Sequence, residues 1–235
     1  MAGHERVRLA WAVSGQGRAL LAVMDAVRLG LLHVDLELVI LDRPSPIGAA
    51  AAKAAIPCHL IEAGPGRYHP RLVELLAAHR IDWLGLTFNR LISDEVIHLL
   101  DGRIFNFHLS LLPMFPGFSA KAIRSGLEHG MRLAGATVHL VNHSTDGGSI
   151  LGQCVAPVPA GDTEALLGRR LFEASLPLLL QVVRSVGARE LTHDARLGLR
   201  WPRAAVAPTG STAMFPLVDE DLLHFAQAFC ARLGR

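Results

Sequence analysis

Apolar residues in the first half of the chain follow two alternating patterns. Short continuous runs, closed by Gly, Pro or Asp, are typical of buried strands. Between them lie stretches with apolar residues at helical spacing, such as Leu20, Leu21 and Met24. The runs predict strands at residues 7–14, 34–41, 57–61, 83–87 and 104–108, and the spaced stretches predict helices at 18–29, 49–55, 70–80 and 94–100. Strands that alternate with helices indicate βαβ units and a parallel sheet covered on both faces.

The pattern changes after residue 109. A loop rich in Pro and Gly precedes a short predicted helix, and two strand-like runs and a long amphipathic helix follow. The predicted elements are a helix at 120–127, strands at 136–141 and 150–158, a helix N-capped by Asp162 that continues to residue 186, an irregular loop at 202–216 and a terminal helix at 219–233. The terminal helix could pack on the main body, contact a second copy of the chain or close over a site.

These elements predict an α/β fold with an open, mostly parallel, Rossmann-like sheet and helices on both faces. We assign residues 1–189 to one domain, with an N-terminal βαβ half at 1–100 and a second half at 101–189 that holds most of the candidate chemistry. Residues 190–235 are assigned to a C-terminal extension.

Composition excludes several classes of protein. Apolar residues make up 51% of the 235 positions and charged residues 19%, which excludes intrinsic disorder. With 23 Lys+Arg against 21 Asp+Glu, the net charge of +2 gives no basic field for nucleic acid. The longest apolar runs, such as 176–180, are far too short to span a membrane. The three cysteines lie far apart without a CxxC pair, so we expect no disulfide scaffold, no metal site and a cytoplasmic location.

A glycine-containing turn, Ser14-Gly15-Gln16-Gly17, follows the first predicted strand and precedes a helix that begins at Arg18. In α/β proteins, backbone N–H groups and the helix dipole bind phosphate at this position. A tight strand-to-helix turn explains the same glycines equally well.

Two polar clusters carry the candidate chemistry. Asn106 and His108 lie two residues apart at the end of the fifth predicted strand, so their side chains point to the same face at the carboxyl edge of the sheet. An amide can donate to a developing oxyanion and an imidazole can exchange a proton near neutral pH, which suits acyl transfer. Asp146 lies in the loop between two later strands, where its carboxylate could raise the pKa of an imidazole and help deprotonate an attacking amine.

Three motifs together resemble the N10-formyltetrahydrofolate-dependent formyltransferase family, and within it the phosphoribosylglycinamide formyltransferases. They are Asn106-x-His108-x-Ser110-Leu-Leu-Pro113, Gly135-Ala-Thr-Val-His139 and Asp146-Gly-Gly. The resemblance runs from about residue 7 to 186 and implies that N10-formyltetrahydrofolate donates a formyl group.

The resemblance also implies roles for individual residues. Asn106 would donate to the formyl oxygen, His108 would stabilise the tetrahedral intermediate or move its proton, and Asp146 would orient His108. His139 and Ser110 would support this triplet without touching substrate. The folate would contact Phe88, Asn89, Arg90, Leu91, Ile92, Leu140, Val141, Asn142 and Thr145, and the acceptor would contact Gly15, Gln16, Gly17, Arg18, Arg170 and Glu173.

The expected acceptor is a small-molecule amine. Among acceptors, glycinamide ribonucleotide is the leading candidate. The sequence departs from the pattern of its transferases at three places: Arg18-Ala19 stands where the family usually has Ser-Asn, Leu109 replaces the proline after the histidine, and Ser149 replaces the proline after Asp-Gly-Gly. Hydroxyornithine or an amino sugar is the alternative acceptor, and a formyltetrahydrofolate deformylase or a non-catalytic folate-binding protein is the alternative class. We expect no nucleic-acid or membrane partner, and the C-terminal extension could mediate a homodimer.

Overall fold

The computed structural model of the chain describes residues 6–62, 68–117, 119–194, 198–200, 214–215 and 219–233. Its main feature is an eight-stranded sheet with the order β10-β7-β6-β5-β4-β1-β2-β3. The strands are β1 (Val7–Val13), β2 (Val34–Leu41), β3 (Cys58–Leu60), β4 (Trp83–Thr87), β5 (Ile104–His108), β6 (Leu133–Leu140), β7 (Ile150–Pro157) and β10 (Met214–Phe215), with β8 (Thr192–Asp194) and β9 (Gly198–Arg200) in a separate hairpin. Neighbours among β1 to β5 pair in parallel, whereas β6, β7 and β10 pair antiparallel.

Helices cover both faces of this sheet. They are α1 (Arg18–Arg28), α2 (Ile47–Lys53), α3 (Tyr68–Ala78), α4 (Asp94–Leu99), α5 (Ser119–Glu128), α6 (Glu164–Gly187) and α7 (Glu220–Leu233). Alternate residues of β1 serve the two faces: Leu9 and Trp11 join the core formed with α1, α6 and α7, whereas Ala10 and Ala12 join the core formed with α3 and α4. The predicted Rossmann-like α/β fold is therefore confirmed.

The order of the parallel strands places a crevice at the edge of the sheet. β1 lies between β2 and β4, so the chain after β1 turns to one side and the chain after β4 turns to the other. Open α/β sheets bind ligands at such a switch point, outside the carboxyl ends of the strands. Ser14 and the loop at 88–93 follow β1 and β4 at this position.

A glycine in β4 allows the centre of the sheet to pack tightly. Gly85 pairs with Trp11 on β1, and a Cβ at position 85 would lie 2.6 Å from the Trp11 ring and 2.9 Å from Phe105. The Trp11 indole N–H donates to Thr87 Oγ1 at 3.1 Å, so its polar atom is satisfied.

Two predictions about the second half of the chain need correction. The N-cap of α6 is Thr163 rather than Asp162, since the Thr163 side chain accepts a hydrogen bond from the Leu166 N–H. Part of the predicted irregular loop at 202–216 is a strand, because Met214 and Phe215 pair with β7. The rest of that predicted loop lies outside the described residues.

The terminal helix packs on the main body. Its apolar side joins the core beside α6, with Leu222 fully buried and Phe225 nearly so. Arg184 of α6 pairs with Asp219 and Asp221 at 2.6 Å each and fixes the start of the helix. This apolar side is therefore not free to contact a second copy, and the homodimer stays a prediction. In the described part of the chain, no helix is long and apolar enough to cross a membrane.

Candidate active site

A cavity of about 1100 Å³ opens at the carboxyl ends of β1, β4 and β5. Most of the residues that the sequence predicted for a site line it: Gln16, Gly17, Arg18, Phe88, Asn89, Arg90, Leu91, Ile92, Asn106, His108, His139, Val141, Asn142, Thr145 and Asp146. Five of the predicted residues do not: Gly15, Ser110, Leu140, Arg170 and Glu173. Residues distant in the chain thus meet at the switch point of the sheet.

The antiparallel pairing of β5 and β6 brings His139 directly opposite Asn106. His139 Nδ1 lies 2.8 Å from the carbonyl oxygen of Leu140, and a carbonyl only accepts, so Nδ1 carries the proton. Nε2 is then an acceptor, and the Asn106 amide donates to it at 3.2 Å. His139 therefore fixes which way the Asn106 amide points and leaves one amide N–H for a ligand in the cavity.

Asp146 faces both imidazoles from the opposite loop. Its Oδ1 lies 3.9 Å from His108 Nδ1 and 3.7 Å from His139 Nε2. Its Oδ2 accepts a hydrogen bond from the backbone N–H of Gly117 at 2.7 Å. One carboxylate oxygen is therefore held by the loop at 109–117, and the other is directed at the histidines.

The loop that carries Asp146 returns closely onto β6. The Leu140 N–H donates to the carbonyl of Ser149 at 2.8 Å, and a Cβ at Gly148 would overlap the carbonyl oxygen of Leu140. Asp146 itself has a φ of 53°, in the left-handed region that only a few non-glycine residues adopt. The carboxylate is thus positioned by a tight loop that requires glycine at position 148.

Burial favours the neutral form of both imidazoles. Burial lowers the pKa of His108, with the charge of Asp146 and the Phe115 carbonyl opposing it. Burial also lowers the pKa of His139, against smaller opposing effects of the Leu140 carbonyl and Asp146. A neutral imidazole beside a carboxylate can accept a proton at neutral pH.

Charged and aromatic side chains stabilise the predicted folate loop at 88–92. Arg90 Nε donates to Asp42 Oδ2 at 3.2 Å, and its guanidinium lies over the Tyr68 ring, 5.3 Å from the centroid. Ser14 Oγ donates to the same carboxylate at 3.0 Å and accepts from the Asn89 N–H at 3.0 Å. Asp42 has a side chain with no exposed surface and joins the ends of β1, β2 and β4.

The predicted acceptor residues on α6, Arg170 and Glu173, do not line the cavity, and their role in acceptor binding stays a prediction. Arg170 pairs with Asp162 at 3.1 Å, and Glu173 is exposed. Burial and, second, the charge of Glu173 raise the pKa of Cys230 on α7 to about 11, which places Glu173 on the α7 side of α6. Arg169 and Phe172, one residue earlier in each case, line the cavity instead.

Two other predicted residues serve the loops rather than the cavity. Gly15 has a φ of 89°, and its carbonyl accepts from Ser45 Oγ at 2.6 Å, so this glycine is needed by the turn. Ser110 Oγ donates to the Phe115 carbonyl at 2.6 Å and stabilises the loop at 109–117.

Sequence reasoning missed several residues at the cavity. His143 lines it and donates from Nδ1 to Asp94 at 2.6 Å. The ring of His98 lies beside it in a tilted arrangement, 5.3 Å between ring centroids. The backbone N–H of Gly117 donates a hydrogen bond to Asp146. No sequence pattern predicts this contact, because it involves no side chain of Gly117. The helical spacing of 100° per residue could have placed Arg169 in the cavity if the start of α6 had been known.

Comparison with known proteins decides the family. The model of the formyl transferase family matches residues 7–183. This chain belongs to that family. The resemblance predicted from the three motifs is thus confirmed.

Relatives of this formyl transferase include a purine biosynthetic protein and phosphoribosylglycinamide formyltransferases. It is 35% identical over 182 residues to the trifunctional purine biosynthetic protein adenosine-3 of Drosophila melanogaster, covering 74% of this chain but only 13% of that protein. It is 32% identical to phosphoribosylglycinamide formyltransferase of Mycobacterium tuberculosis, covering 80% of this chain and 89% of the relative. The structure of glycinamide ribonucleotide transformylase 1 from Symbiobacterium toebii superposes with a TM-score of 0.77 at 30% identity, over 86% of this chain and 98% of that one.

Proposed function

We propose that this formyl transferase moves the formyl group of N10-formyltetrahydrofolate to a small-molecule amine, with glycinamide ribonucleotide as the acceptor. The observation that carries the proposal is the convergence of an amide, an imidazole and a carboxylate, those of Asn106, His108 and Asp146, on the wall of one cavity. The names of the relatives support the acceptor, since one of them matches this chain over most of its own length.

In this mechanism, the acceptor nitrogen attacks the formyl carbon. A carbon–nitrogen bond forms, the bond from the formyl carbon to N10 breaks, and one proton passes from the amine to N10. The free N–H of Asn106 stabilises the developing oxyanion. Neutral His108 takes up the proton from the amine and returns it, and Asp146 stabilises the transient imidazolium.

The cavity offers suitable surroundings for both substrates. The loop that begins with Phe88 would bind the folate, supported from behind by the ion pair of Arg90 with Asp42. Arg18 and Arg169 line the cavity, and neither forms an ion pair with another described residue. Two guanidinium groups with no ion-pair partner in the described part of the chain favour an acceptor that carries an anionic group such as phosphate.

The test is a transfer assay with defined amines. The protein is incubated with N10-formyltetrahydrofolate and, separately, glycinamide ribonucleotide, hydroxyornithine, an amino sugar or no amine, and products are analysed by mass spectrometry. We expect a product heavier by one formyl group with the ribonucleotide. Transfer only to another amine would overturn the acceptor, and release of formate without an amine would indicate a deformylase.

A pair of alanine variants tests the assignment of His108. His108→Ala should lower kcat by about 100- to 10,000-fold, the usual contribution of a positioned acid–base group. His129→Ala is the matched control, because His129 is exposed and does not line the cavity. Near-full kcat in His108→Ala would show that the imidazole has no catalytic role.

We also propose a cytosolic location and no macromolecular substrate. All three cysteines are free thiols in the structure, which supports a reducing compartment. Expression with a fluorescent tag and a cell-fractionation assay test the location.

A further inference from the structure

Three metal-ligating groups meet at the end of β5 and β6. The donor atoms of His108, His139 and Asp146 all lie within 4.8 Å of one another. The Asp146 oxygen is 3.7 Å from one imidazole nitrogen and 3.9 Å from the other. Among the described residues, this is the one group of three such side chains so close together.

A metal ion in this cluster would compete with the Asn106 amide for the His139 electron pair. His139 donates from Nδ1 to the Leu140 carbonyl, so its Nε2 lone pair faces the cluster. A backbone partner that fixes the tautomer of a histidine is a common feature of metal sites. The Asp146 carboxylate is oriented in the same way by the Gly117 N–H. Burial favours the neutral form of both imidazoles, which is the form that binds metals.

We propose that His108, His139 and Asp146 form an inhibitory binding site for Zn²⁺. Two imidazole nitrogens and one carboxylate oxygen suit zinc, whereas Mg²⁺ and Ca²⁺ prefer oxygen ligands. Ligands about 2.0–2.2 Å from a tetrahedral ion are roughly 3.3–3.6 Å apart. Donor atoms that now lie within 4.8 Å of one another therefore need to approach by a few tenths of an ångström to more than about 1 Å. The cavity leaves the fourth position to water.

Occupation of this site would stop formyl transfer, an effect that rests on the proposed function. The ion takes the His139 lone pair, so the Asn106 amide loses the acceptor that orients it. It also takes the His108 nitrogen nearest Asp146, so that imidazole can no longer accept a proton there. Binding itself requires no substrate and can be measured separately.

A second histidine pair, of which His143 lines the cavity, provides the matched control. His143 and His98 lie close together beside Asp94, but the His143 and Asp94 side chains are more than half exposed. If zinc bound at this exposed pair, His143→Gln would lower the affinity of the protein for zinc. If zinc binds at the buried cluster, His143→Gln should change its affinity by less than about twofold.

The experiment measures metal binding to the full chain after removal of metals with a chelator. Zn²⁺ is titrated calorimetrically, and Co²⁺ is used as a spectroscopic probe, because tetrahedral cobalt gives intense visible bands. We expect one site. His139→Leu and Asp146→Asn should each lower the zinc affinity by more than about 100-fold, since loss of an outer partner alone costs about 10–100-fold. Asp146→Asn preserves the shape of the side chain, and circular dichroism checks that both variants fold.

Three results would overturn this site: no saturable binding, unchanged affinity in both ligand variants, or loss of binding in His143→Gln. In the transfer assay, Zn²⁺ should inhibit the wild type, and a chelator should restore the rate. Saturable binding by the cluster in a protein without transfer activity would refute the proposed function and still support the metal site.

Discussion

His139 should act on catalysis mainly by orienting the Asn106 amide. The perturbation is His139→Leu, which removes the acceptor that lies 3.2 Å from the amide nitrogen. A hydrogen bond of this kind contributes about 0.5–1.5 kcal/mol net, so kcat/KM for the acceptor should fall roughly two- to tenfold. Asn106→Ala removes the oxyanion donor itself and should cost about 100- to 1000-fold.

A double-mutant cycle separates this positioning role from general damage to the fold. Steady-state rates are measured at saturating formyl donor in the wild type, both single variants and the double variant. With Asn106 already replaced, His139→Leu should change kcat/KM by less than about twofold, since the hydrogen bond to the amide is already gone. His139→Gln should recover most of the loss, because its carbonyl oxygen can accept from the amide. If the His139→Leu effect is equally large in the Asn106→Ala background, the reasoning is refuted.

Three other outcomes follow from the described contacts. The kcat/KM should fall as the pH drops through the pKa of His108, below the ordinary value of 6.5, because burial favours its neutral form. Asp146→Asn should lower that pKa further by removing an attractive charge, and an upward shift of the imidazole NMR titration would contradict this. Gly85→Ala should lower the free energy of unfolding by about 1–3 kcal/mol in urea denaturation, because the new Cβ would lie 2.6 Å from Trp11. Gly48→Ala in α2 is its control, because a Cβ there would make an ordinary contact of 3.6 Å with the Leu41 side chain. It should raise the free energy of unfolding by about 0.5–1 kcal/mol.

Much of the parallel sheet could be predicted because its strands are buried on both faces. Such strands form continuous apolar runs, and the predicted bounds of β5 agree with the structure at both ends. The motifs also predicted the residues that meet at the cavity, since the carboxyl ends of neighbouring parallel strands share one edge. The roles assigned to Asn106, His108 and Asp146 remain predictions.

The parts that could not be predicted depend on register and on backbone groups. The pairing of Asn106 with His139 follows from the antiparallel alignment of β5 and β6, which leaves no mark in the order of residues. On α6, side chains turn by 100° per residue, so Arg169 lines the cavity whereas the predicted residue next to it, Arg170, does not. The Gly117 N–H that reaches Asp146 is a backbone donor, which every residue except proline possesses.

The hydrogen bond from the Gly117 N–H to Asp146 connects the loop at 109–117 to the loop that carries Asp146. A departure of the proline-containing segment at 109–117 would free Oδ2, and the carboxylate could then rotate about its Cβ–Cγ bond. The ring of His108 would lose a fixed counter-ion at the same moment. Ordering of this segment and readiness for proton transfer are thus one event, so hydrogen exchange at Gly117 should report on both.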